Sequence, residues 1–153
     1  MQKLTHCFSS MGLSVMIFSF FVDSTSLLII ASISFMLGGI NDWLDFALFK
    51  MFEHRNWLTH SLLSPILISG IIMIIVSVIF SWFWGLTTFF IFSISWIIHV
   101  LLDSLTFTGV YLFIPGHSVS GKIHYKNVKW NSIFIGISII LSFLGYLVSH
   151  FWV

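Results

Sequence analysis

His6, Asp42, Asp45, His54, His60, His99 and Asp103 are the side chains of this sequence that could do chemistry together. Imidazole nitrogens and carboxylate oxygens are what a zinc-like divalent ion takes as ligands, three or four at about 2.0 to 2.2 Å, gathered from separate segments of the chain. Cys7 is the only cysteine, so a cysteine cluster is excluded and a metal site has to be built from His and Asp. His99 and Asp103 are the sharpest pair. Four residues apart on a helix they share a face, and the turn between them is aliphatic. An aspartate at so apolar a helix end needs a partner, which is either a metal or simply the histidine. Asp42 and Asp45 share a face at i, i+3, although Asn41-Asp42 also suits a helix cap or turn. His60 stands at the mouth of an apolar run, where a lone histidine is ordinarily just interfacial. His54, six residues earlier, falls on a different helical face and is read as a substrate-contacting or supporting group. Arg55 has the forked geometry that holds a pair of phosphate oxygens.

The elements that position these groups are set by composition. Of the 153 residues, 58% are hydrophobic and 7% are charged, with a mean hydropathy of +1.07. A soluble domain carries about 25% charged residues, so most of this surface must face lipid. Soluble enzyme, disordered tail and nucleic-acid-binding domain are excluded as classes. Apolar runs predict helices over 7–22, 27–40, 62–84, 86–102 and 133–153, because only helices or closed barrels satisfy their backbone inside a bilayer. The run 7–22 has no small-x-small cleavage site before Asp23 and is read as a retained first helix. The run 27–40 reaches only roughly 21 Å at 1.5 Å per residue. Its helix is therefore expected to start near Ser24 and end below the headgroups, loosened by Gly38-Gly39.

Counting connections alternately, Lys3, Lys50, Arg55, Lys122, Lys126 and Lys129 all fall on one side. The positive-inside rule makes that side, and the N-terminus, cytoplasmic. His6, Asp42, Asp45, His54, His60, His99 and Asp103 fall at the same level, which weakens the reading of each as an isolated polar residue. Asp23 and His150 lie on the other. His117 and His124, in the long 103–132 connection, either cover the site or are solvated loop residues. Lys122, Lys126 and Lys129 resemble a juxtamembrane basic strip drawn to anionic lipid headgroups.

Four blocks occur in order: Thr5-His6; Gly39-Ile40-Asn41-Asp42-Trp43-Leu44-Asp45; His54-Arg55-Asn56-Trp57-Leu58-Thr59-His60-Ser61-Leu62-Leu63; and His99-Val-Leu-Leu-Asp103 through Thr106 and Gly109-Val110 to Pro115. Over residues 5 to 117 this resembles the LexA-regulated, membrane-bound predicted metal-dependent hydrolases. More distantly, the order of ligands is similar to the zinc-dependent phospholipase C and P1 nuclease fold. In the family the acidic block reads P-D-x-D-H; here Asn41 replaces the proline and the two aspartates stand one residue further apart. The resemblance implies a metal site from His6, Asp42 or Asp45, His60, His99 and Asp103.

Together these readings predict one all-α domain over 1–153, an integral bundle of about five transmembrane helices in the cell membrane with its N-terminus cytoplasmic. The expected function is a metal-dependent hydrolase with one or two divalent ions, zinc ahead of manganese or magnesium, at the cytoplasmic interface. Asp42 or Asp45 would take a proton from water, Arg55 would hold a phosphoryl oxygen, and the substrate would be a phospholipid or another amphipathic phosphoester. The alternatives are a proton-coupled transporter or channel subunit, and a catalytically inactive structural membrane protein.

Overall fold

Six helices and one short hairpin occur among the described residues of the computed structural model, which are 2–48, 59–107, 109–111 and 118–152; of 41, 45, 46 and 48 only the backbone is described. Helix α1 spans Lys3–Phe18 and stops where Ser19 turns back, its N–H donating to Val15 O at 3.0 Å and its hydroxyl to Met16 O at 2.8 Å. The apolar run overshoots this end because Phe20 and Phe21, already beyond the helix, are exposed hydrophobics. Asp23 then caps α2, Ser24–Leu37, by accepting from the N–H groups of Thr25 and Ser26, which supplies two of the donors a helix start leaves unpaired.

Helix α2 ends at Leu37 with Gly38 as its C-cap, at the Gly38-Gly39 pair expected to loosen it. Gly38 nevertheless stays in the right-handed helical region, its N–H bonded to Ser34 O at 3.0 Å, and α3 follows at once over Ile40–Leu48. The apolar helical stretch is therefore Ser24–Leu44, 21 residues, or roughly 32 Å at 1.5 Å per residue. The start near Ser24 is as expected; the short span is corrected.

A second correction concerns the break expected at Gly85. Helix α4, Leu63–Ile79, ends before Phe80, and α5, Trp82–Ser104, begins at Ser81. Ser81 is extended and its hydroxyl accepts from Trp84 N–H. A helix start needs a side-chain acceptor, which Ser81 has and Gly85 lacks. Helix α6, Val128–Trp152, likewise begins earlier than expected, because Asn127 Oδ1 accepts from Trp130 N–H. Between α5 and α6 a two-residue antiparallel hairpin, β1 Val110–Tyr111 with β2 Ser118–Val119, pairs Val110 with Val119.

Ser24–Leu44, Trp82–Ser104 and Val128–Trp152 are long and apolar enough to cross a membrane, and Leu63–Ile79 is a shorter apolar helix. Helix α1 packs against α6, α2 and α5, and α4 packs on α5. The central helix buries small polar residues: Thr5, Ser10 and Ser14 are buried in it. Small residues let helices approach closely where lipid supplies no hydrophobic drive between them. Gly12 shows this, since a Cβ there would stand 2.6 Å from Ser138 O of α6. The apolar side chains turn outward instead, as Val78, Met36 and Phe151 do. This is an all-α membrane protein.

Candidate metal centre

Helix α5 carries the frame of the site. Trp96, His99 and Asp103 follow one another at spacings of three and four, so they share one buried face. His99 Nδ1 donates to the carbonyl of Gly38 at 3.0 Å. A carbonyl only accepts, so Nδ1 carries a proton and Nε2 is the ring nitrogen aimed into the site. Gly38 serves this bond twice, since its missing side chain also lets the backbone of α2 lie against α1. A Cβ there would stand 2.6 Å from His6 O and 2.6 Å from Cys7 Cα.

His60 lies in the turn before α4. Trp96 reaches from α5 with its indole N–H donating to Thr59 O at 2.8 Å, and Ser61 Oγ accepts from Ser64 N–H at 3.3 Å, so the turn is fixed on both sides of the histidine. The Thr59 hydroxyl stands 3.0 Å from His60 Nδ1, which leaves Nε2 facing inward. Asp42 arrives in the first turn of α3.

The four side chains converge. Asp42, His60, His99 and Asp103 each place one N or O donor within 4.8 Å of all the others. His99 Nε2 is 3.5 Å from Asp42 Oδ1 and 3.6 Å from Asp103 Oδ2. His60 Nε2 is 3.5 Å from Asp103 Oδ2 and 4.0 Å from Asp42 Oδ1. Charge-assisted hydrogen bonds run at about 2.7–2.9 Å, well inside these values. Ligands about 2.1 Å from a tetrahedral ion stand about 3.4 Å from one another. The four donors are close enough together that they could hold a common ion. His99 Nε2 is buried and has no hydrogen-bond partner among the described residues, and a divalent cation there would balance the two carboxylates. The donor set of two imidazoles and two carboxylates fits such an ion.

His6 sits at the edge of this group. Its Nε2 is 3.2 Å from the other carboxylate oxygen, Asp103 Oδ1, and its ring stacks on His99 with centroids 3.9 Å apart. Asp103 therefore faces the four-donor cluster with one oxygen and His6 with the other. Of the two aspartates left open by the sequence, Asp42 is at the cluster, while the side chain of Asp45 lies outside the described residues, as do His54, Arg55 and His117. His124 is exposed and accepts from Lys126 N–H at 3.2 Å in its own turn, so it takes the solvated-loop alternative. His150 is at the far end of α6, stacked on Tyr146. Gly38, Thr59 and Trp96 were missed by sequence reasoning. Trp96 alone carried a signal, three residues before His99.

No curated protein and no solved structure matches the chain. A family model does, over residues 1–152, and its description names a membrane and no reaction. With a lipid-facing helical bundle and a match across nearly the whole chain, the chain belongs to the YdjM inner membrane protein family.

Proposed function

We propose that the chain is a multi-pass cell-membrane metallohydrolase, one domain over 1–153 with its N-terminus cytoplasmic. Its centre is held by Asp42, His60, His99 and Asp103. The observation that carries the reading is the donor spacing around His99 Nε2, longer than a charge-assisted hydrogen bond and compatible with a shared divalent ion, zinc ahead of manganese or magnesium. Bound there, such an ion supplies Lewis acidity, polarising a scissile bond and acidifying water. The protein's own groups do the rest. His60 and His99 each turn Nε2 toward the site, since the Thr59 hydroxyl meets Nδ1 of the one and the Gly38 carbonyl Nδ1 of the other. His6 holds the outer oxygen of Asp103 and so fixes its rotamer. Asp42 is the most accessible of the four, with 19% of its side chain exposed against 1% or less for the others, so water and substrate reach the cluster past it. With Asp42 among the ligands, the proton from water would go to a carboxylate left uncoordinated, for which Asp45 is the candidate.

Lys3, Lys122, Lys126 and Lys129 lie at the same end of the bundle as this cluster. That placement favours a phospholipid or another amphipathic phosphoester, with Arg55 as the phosphoryl clamp and His54 beside it. A transport path would need ionisable groups beyond the cluster, yet α4 has none, and α5 has none before His99. The test is turnover of a phospholipid headgroup panel by the detergent-purified chain, with and without chelator. The reading expects release that chelator abolishes and zinc or manganese restores. Equal release in both arms, or none on any substrate by a metal-loaded protein, would overturn the hydrolytic assignment.

A further inference from the structure

Asn131, at the start of α6, uses all four hydrogen-bonding valences of its amide, and is buried. Its Oδ1 accepts from Thr5 Oγ1 at 2.7 Å and from Gln2 N–H at 3.2 Å. Its Nδ2 donates to Tyr125 O at 3.0 Å and to Asn127 O at 2.8 Å. The two faces are not interchangeable, because a hydroxyl and an N–H meet one and two carbonyls meet the other.

Each face leads to one side of the His6–Asp103 contact. On the oxygen side, Thr5 is the residue before His6. On the nitrogen side, the turn held by Asn131 follows a segment stitched to the end of α5: Ile123 N–H donates to Leu105 O at 3.0 Å and Gly121 N–H to Thr106 O at 3.0 Å. Thr106 in turn donates to the carbonyl of Asp103 through its hydroxyl at 2.8 Å. The ring closes where His6 Nε2 meets Asp103 Oδ1 at 3.2 Å. A second α6 bond, from Ser149 Oγ to Val22 O at 2.7 Å, ties down the opposite end of the helix.

We propose that Asn131 is a positioning residue of the metal centre, which sets the approach of His6 to Asp103 through Thr5 on one side and the 121–127 turn on the other. Helix α6 contributes no ligand to the cluster; on this account it acts through that amide. The inference rests on the metal reading, and its test separates the two. Asn131→Ala removes four bonds and is expected to destabilise the fold, so Thr5→Val, which removes one hydroxyl at nearly constant shape, is the finer cut. Thr5→Ser keeps the hydroxyl, and Ser149→Ala deletes the bond at the far end of α6.

The full chain in detergent is titrated with zinc, and the 15N signals of the His6 ring are recorded in metal-free protein. The expected result is that Thr5→Val weakens zinc affinity about tenfold, the lower end of what supporting groups around a metal usually cost, and shifts the His6 signals. Thr5→Ser should match wild type in both, and Ser149→Ala should leave both unmoved. The proposal is overturned if Thr5→Val leaves the His6 signals in place, or if Ser149→Ala shifts them as much. Should wild type bind no zinc, the metal reading falls with any role here in metal binding, and the ring signals still decide whether Thr5 and Asn131 set His6.

Discussion

At the scale of single residues, the site depends on atoms that carry no charge. The Gly38 carbonyl sets the tautomer of His99, and the space where its side chain would be admits the backbone of His6 and Cys7. Gly38→Ala should therefore push α2 off α1 and lengthen the His99 bond at once. We expect a stability loss of about 1–3 kcal/mol from overpacking, read as a lower midpoint of thermal unfolding in detergent, together with weaker metal uptake. Unchanged unfolding would mean that α1 and α2 do not approach as closely as the structure shows. The His99-Val-Leu-Leu-Asp103 pair was legible in the sequence because helical periodicity is local. Gly38 as acceptor, Thr59 beside His60, and Asn131 against Thr5 were not, since each depends on which helices end up side by side. Nor was the place of Asp42 beside His60, His99 and Asp103, since it depends on how α3 approaches α5.

Among the elements, helix ends were the least legible feature, and for one reason. Hydropathy follows what faces lipid, so Phe20, Phe21 and the residues around Phe80 extend the apolar runs past the helices they adjoin. Caps mark the real ends. Asp23 is the clearest. The backbone N–H of Ser26, then the Ser26 hydroxyl, and the N–H of Thr25 all stabilise its ionised form, which lowers its pKa below the ordinary carboxylate range. A depressed folded-state pKa makes this cap's contribution full above the ordinary value near about 3.9 and lost as pH falls through the folded value. Asp23→Asn keeps an acceptor but cannot titrate. Its unfolding midpoint should vary less than that of wild type between pH 5 and about pH 3, and identical acid profiles for the two proteins would dismiss the cap as a source of pH dependence.

Over the whole molecule, charge and chemistry share one end. The N-terminal turn of α1, the turn before α4, the end of α5 and the start of α6 bring His6, His60, His99 and Asp103 to the level of the exposed lysines at 122, 126 and 129. If the positive-inside rule governs, that level is cytoplasmic. In a Cys7→Ser background, a cysteine placed at Lys126 should be labelled by a membrane-impermeant maleimide only in inverted vesicles, and one placed at His150 only in intact spheroplasts. The reverse pattern would put the site on the outer face. The most direct test of the central claim is the metal content of protein purified in detergent without added metal. The account predicts near-stoichiometric zinc or manganese in wild type and its loss in His99→Ala and Asp103→Ala, with helical content preserved. The same trace metal in all three proteins would contradict it.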